Sequence, residues 1–99
     1  YYVFDIPVAE SLDLKKAAKA VGEKSVAMLP QKELLGLTGY VHGGCSPVGM
    51  KKQFPTVFHA TAPQYDTVCV SAGKIGAQVE CRPGDIIALL RAKTADIIV

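Results

Sequence analysis

The chain has 99 residues, nearly half of them hydrophobic and a fifth charged, with eleven Lys/Arg against nine Asp/Glu for a net charge of +2. That is one small globular domain, without the composition of a disordered segment or the basic excess of a freestanding nucleic-acid binder. No apolar run is long enough to span a bilayer and no charged n-region precedes a cleavable apolar stretch, so the chain reads as soluble and cytoplasmic. It opens on Tyr1 directly in strand-like sequence, which implies that an N-terminal portion is missing.

Residues 1–8 are aromatic and β-branched and read as a strand, with Pro7 near its end. Asp13 caps a predicted helix over residues 14–21, where Leu14, Ala17, Ala18 and Val21 share one face, Lys15, Lys16 and Lys19 the opposite, solvated one, and Gly22 stops it. A short apolar strand is expected over residues 25–29. Pro30 then suits the first turn of a second helix running to about Leu35 and ending at Gly36.

Residues 38–52 follow, Thr-Gly-Tyr-Val-His-Gly-Gly-Cys-Ser-Pro-Val-Gly-Met-Lys-Lys, with four glycines in fifteen positions. Glycine lets a backbone approach a ligand closely, and Pro47 pushes Ser46 toward an extended conformation. The stretch reads as a stiff exposed loop whose N–H groups can face an anionic or carbonyl oxygen; a plain irregular connection with glycine turns reads equally well.

Beyond the loop a strand is expected over residues 56–60, broken by Ala62, Pro63 and Gln64. Residues 67–71 and 77–81 form a predicted hairpin around Ala72-Gly73-Lys74-Ile75-Gly76, bringing Cys69 and Cys81 near each other as buried free thiols. Arg82-Pro83-Gly84-Asp85 opens a third helix through about Arg91, and residues 94–99 close the chain as a strand. Helices mixed with hairpin strands make the class α+β. Cys45, Cys69 and Cys81 include no C-x-x-C pair, and His42 and His59 have no ligand-spaced partners, so neither a disulfide framework nor a metal is expected.

Three stretches carry a resemblance: the run from Leu14 through Gly22; the loop with Gly43-Gly44-Cys45-Ser46-Pro47-Val48-Gly49-Met50-Lys51-Lys52; and Val70-Ser71-Ala72-Gly73-Lys74. Together with the C-terminal Ala92-Lys93-Thr94-Ala95-Asp96-Ile97, they resemble the YbaK/EbsC family over nearly the whole chain. That family contains bacterial Cys-tRNA(Pro) deacylases and is related to the editing domain of some prolyl-tRNA synthetases. The resemblance implies a single editing domain over residues 1–99, with a mixed, mostly antiparallel, barrel-like sheet flanked by short helices. It implies a trans-editing deacylase without cofactor or metal. Its partners would be the acceptor end of aminoacyl-tRNA and a prolyl-tRNA synthetase. The substrate's own thiol is thought to open the ester in cysteine-specific members.

The G-x-x-x-P element, here Gly43 with Pro47, lines the aminoacyl pocket in that family. The family's key lysine lies on a strand N-terminal to everything present here. Gln78 stands where some members carry an acid, and Cys45 where an aliphatic residue is common. Ester opening places negative charge on the carbonyl oxygen, which main-chain N–H donors stabilise; Gly43, Gly44 and Cys45 are the expected source. Ser46 is expected either to bind the ribose hydroxyl or substrate amine or to cap its own turn. Lys51 and Lys52 stand where a tRNA phosphate would lie, and Ser71, Gly73 and Lys74 are placed by the resemblance near the same pocket. Two further readings are a non-catalytic aminoacyl-tRNA or synthetase-binding module and a domain binding a phosphorylated metabolite. Without a neighbour, the apolar edge at residues 1–8 implies self-association or poor stability.

Overall fold

The computed structural model of the protein describes residues 1–41, 44–50 and 53–99. His42, Gly43, Lys51 and Lys52 lie outside the described residues, and with them two of the expected site residues, Gly43 and Lys51.

The core is built on three short strands in the order β1 (Val3–Asp5), β2 (Thr56–His59), β5 (Lys93–Ala95). Both pairings are parallel, with Val3 opposite Thr56 and Val57 opposite Lys93. Parallel neighbours need long crossovers, and here each crossover carries helices. β2 is central and buried at all four positions, and Val57 and Ile97 are the largest fully buried side chains. A separate antiparallel hairpin pairs β3 (Val68–Ser71) with β4 (Gln78–Cys81). The expectation of mostly antiparallel strands is therefore corrected. Among the described residues the strands form two sheets that do not close, and the three-stranded one is parallel.

Helix α1 (Leu14–Val21) follows its sequence signals. Asp13 Oδ1 accepts the N–H groups of Lys15 and Lys16 at 2.9 and 3.0 Å, and Gly22 ends the helix with φ of 74°. Ala17 and Ala18 are buried on the apolar face of the helix. Lys16 departs from the solvated lysine face. Its Nζ donates to Asp96 Oδ2 at 3.1 Å and to the Ile98 carbonyl at 2.9 Å, fastening α1 to the C-terminal segment. That bond holds the Asp96 carboxyl below its ordinary range.

The expected strand at residues 25–29 is not formed; the stretch has no sheet neighbour among the described residues, and Met28 is exposed. A 3-10 turn at Gln31–Glu33 leads into α2 (Leu34–Thr38), which runs through Gly36 and ends at Gly39, φ 84°. Thr38 Oγ1 donates to the Leu34 carbonyl at 2.8 Å and accepts the Tyr40 N–H at 3.0 Å, shaping the exit from the helix. A second 3-10 turn, Ala62–Gln64, follows β2, and α3 (Pro83–Leu90) buries Pro83 and Ile86. Cys69 is exposed and Cys81 half-buried, so the expectation of two buried thiols is corrected; Cys69 lies opposite Glu80, on the open face of the hairpin. No helix among the described residues is long and apolar enough to cross a membrane.

Candidate aminoacyl site

The glycine-rich loop is packed onto the hairpin turn, and the packing explains which positions must be glycine. A Cβ on Gly44 would stand 2.9 Å from the backbone nitrogen of Ile75 and 3.1 Å from the carbonyl carbon of Lys74. The two main chains meet there because nothing projects between them. Tyr40 makes the second contact. Its ring lies where a Cβ on Gly73 would come within 2.7 Å of it, and its hydroxyl stands 2.9 Å from the corresponding point on Gly49. Both glycines also hold positive φ, 91° and 74°. The Tyr40 hydroxyl donates to the Val48 carbonyl at 2.6 Å, so one side chain ties the loop to the hairpin.

Within the loop, the polar groups of residues 44–48 divide into those used internally and those left over. The Gly44 N–H donates to the Val41 carbonyl at 3.0 Å and so is engaged in a turn, which removes it from the expected set of free donors. Ser46 is buried, and its Oγ accepts the Val48 N–H at 3.2 Å, the turn-capping role. Gln53 Nε2 donates to the Pro47 carbonyl at 3.3 Å from the far side. The amides of Cys45 and Ser46 have no partner among the described residues. The Cys45 thiol is exposed and points toward Thr38 Oγ1, 4.0 Å away.

These residues border open space. A cleft of about 730 Å³ runs between β1, residues 26–30, α2 and the Cys45-Ser46-Pro47 corner, a volume suited to a small ligand. A groove of about 470 Å³ lies on the other side of Ser46, lined by Tyr40, Gly49, Ser71 and the α3 residues Asp85, Ile86 and Leu89. Ser46 borders both, and a third recess of about 280 Å³ shares Asp5 with the large cleft.

Matched to its relatives, the chain fits the profile of the aminoacyl-tRNA editing domain over residues 1–89. The chain belongs to the aminoacyl-tRNA editing domain family. Over 92 residues this editing domain is 53% identical to a candidate Cys-tRNA(Pro)/Cys-tRNA(Cys) deacylase, EbsC, of Enterococcus faecalis, a match covering 93% of the chain and 56% of that relative. It thus spans little more than half of that protein's length. A crystal structure of a candidate trans-editing enzyme for prolyl-tRNA synthetase superposes with a TM-score of 0.91 at 30% identity, covering 99% of this chain and 62% of that one. A hypothetical protein of 21% identity has the same fold, with a TM-score of 0.85 over 97% of this chain and 65% of its own.

Within the editing domain, the structure gathers most of the residues picked out from sequence. Cys45, Ser46 and Pro47 border the large cleft, and Ser46, Gly49 and Ser71 border the groove behind it. Gly44 and Gly73 act as contact points, one for the Lys74-Ile75 peptide and one for the Tyr40 ring. Ser71 Oγ accepts the Gly73 N–H at 3.2 Å, and Lys74 is exposed on the turn. Two residues were missed. Tyr40 sits inside the glycine-rich stretch, but its role depends on Gly73, which is distant in sequence. Asp5 is an acid in an otherwise apolar strand, Tyr-Tyr-Val-Phe-Asp-Ile-Pro-Val, a signal that was open to reading. Among the described residues no cluster of His, Cys, Asp and Glu could hold a metal ion.

Proposed function

We propose that this editing domain deacylates mischarged tRNA in trans, with Cys-tRNA(Pro) as its substrate. The observation that carries the reading is the pair of Cys45 and Ser46 amides, unpartnered among the described residues and set at the border of an open cleft. Ester opening needs donors placed where the carbonyl oxygen gains charge, and a rigid turn supplies them without reorganisation. Gly44, engaged with Val41 and pressed on Ile75, holds that turn in place rather than donating to the substrate.

Selectivity for cysteine comes from chemistry rather than fit, since one methylene discriminates by only about 1–3 kcal/mol. The substrate's sulfur attacks its own carbonyl carbon, the C–S bond forms as the ester C–O bond breaks, and the thiol proton leaves with the ribose oxygen. No cofactor enters this scheme. The E. faecalis relative bears the name of a Cys-tRNA(Pro)/Cys-tRNA(Cys) deacylase, which supports the same substrate. The acceptor end of tRNA is the partner in this reading, with a prolyl-tRNA synthetase supplying the mischarged tRNA in the cytoplasm.

tRNA(Pro) charged in turn with Cys, Ser, Ala and Pro and mixed with the chain tests this. Release of Cys at least about tenfold faster than the others is expected; equal release of all four rejects it. One observation favours a second reading, a binding module without turnover: no lysine borders the three cavities among the described residues. Retention of charged over uncharged tRNA with no release identifies that case.

A further inference from the structure

Asp5 ends β1, and its Oδ2 atom is buried without a hydrogen-bond partner among the described residues. Such a carboxylate is costly, because desolvation penalises the charge and no donor offsets it. Burial pushes its carboxyl from 3.8 up to about 6, and no cation among the described residues reverses the effect. Yet Asp5 is not sealed inside the core. The residue is only half-buried, and it borders the same 730 Å³ cleft as Cys45, Ser46 and Pro47. The other acid on that cleft, Glu33, is exposed and keeps its hydration. Asp5 thus stands in the wall of the cleft with one carboxylate oxygen unused, and a turn of its side chain would bring that oxygen to a cation entering there.

Every aminoacyl ester carries a cation on the carbon next to its carbonyl. Resting on the deacylase reading above, we propose that Asp5 binds the α-ammonium of the aminoacyl group while the Cys45-Ser46 turn faces the ester oxygen. Ser46, whose Oγ accepts the Val48 N–H, holds the turn in this arrangement. Phe4, Met50 and Phe54 border the same cleft and supply apolar walls for a small side chain. The arrangement selects free aminoacyl groups and rejects N-acylated ones, including the growing peptide on peptidyl-tRNA, which lack the charge.

The test is calorimetry on the 99-residue chain at pH 7. The ligands are the non-hydrolysable 3′-cysteinylamino-3′-deoxyadenosine and its counterpart built on 3-mercaptopropionate, which lacks only the amine. The ammonium-bearing ligand is expected to bind about tenfold or more tightly, the usual scale for a hydrogen bond to a charged group. Asp5→Asn is expected to bring the two affinities within about twofold of each other, the remaining affinity also showing that the variant is folded. Equal affinities in the native chain overturn the Asp5 assignment and leave the deacylase reading standing. A preference that survives Asp5→Asn also overturns it, placing the ammonium elsewhere. Failure of both ligands to bind removes the deacylase reading, and this assignment with it.

Discussion

Replacing Asp5 by Asn is expected to stabilise the protein at neutral pH and to do nothing at acid pH. A carboxyl whose folded pKa lies above its unfolded value favours folding only while it is protonated. That contribution is fully present below about 3.8 and is lost as pH rises through about 6. At about 1.36 kcal/mol per pKa unit, the rise amounts to about 3 kcal/mol of stability given up above pH 7. For a domain of this size that is a large share of the total, and it corresponds to a melting shift on the order of 10–20 °C. Asn keeps the shape and removes the titration. The chain has no tryptophan, so urea unfolding followed by far-UV circular dichroism is the suitable assay, run from pH 4 to pH 8. The native and Asn curves should coincide near pH 4 and separate progressively toward pH 7. Curves that stay parallel at every pH refute the reasoning, because Oδ2 would then be solvated or paired.

Four further substitutions bear on the loop. Gly44→Ala places a methyl 2.9 Å from the Ile75 backbone nitrogen, so it should cost about 1–3 kcal/mol in denaturant unfolding and slow deacylation by lifting the loop from the hairpin. Tyr40→Phe keeps the wedge and loses only the bond to Val48, an expected cost of about 1 kcal/mol; Tyr40→Ala loses both and should cost about 2 kcal/mol or more in the same assay. Cys45→Ala should leave the Cys-tRNA(Pro) deacylation rate within about threefold, since its main-chain N–H is the group proposed to act; a hundredfold loss would assign the work to the thiol instead.

What the sequence disclosed follows from how local each feature is. Helix α1 was readable because Asp13 and Gly22 mark its two ends within the helix's own stretch, and the hairpin because two β-rich runs flank a glycine turn. The parallel sheet was not, since β1, β2 and β5 meet across crossovers that no local pattern specifies. Residues 25–29 have strand composition but no partner strand among the described residues, and Gly36 reads as a stop although the helix continues through it to Thr38 and Gly39, which end it by side-chain and positive-φ capping. The site was legible in part. The loop's composition announced a special backbone, but which amides remain unpartnered depends on the Val41 carbonyl and the Ser46 hydroxyl, which take the Gly44 and Val48 N–H groups. The contact of Gly44 with Ile75 is a tertiary fact with no local signature.

The amide resonances of Cys45 and Ser46 test the central claim most directly, in ¹⁵N–¹H spectra of the chain titrated with 3′-cysteinylamino-3′-deoxyadenosine. Downfield movement of these two amides beyond that of other loop amides is predicted as they engage the acyl oxygen. Saturable binding that shifts other residues and leaves both of them in place would contradict it.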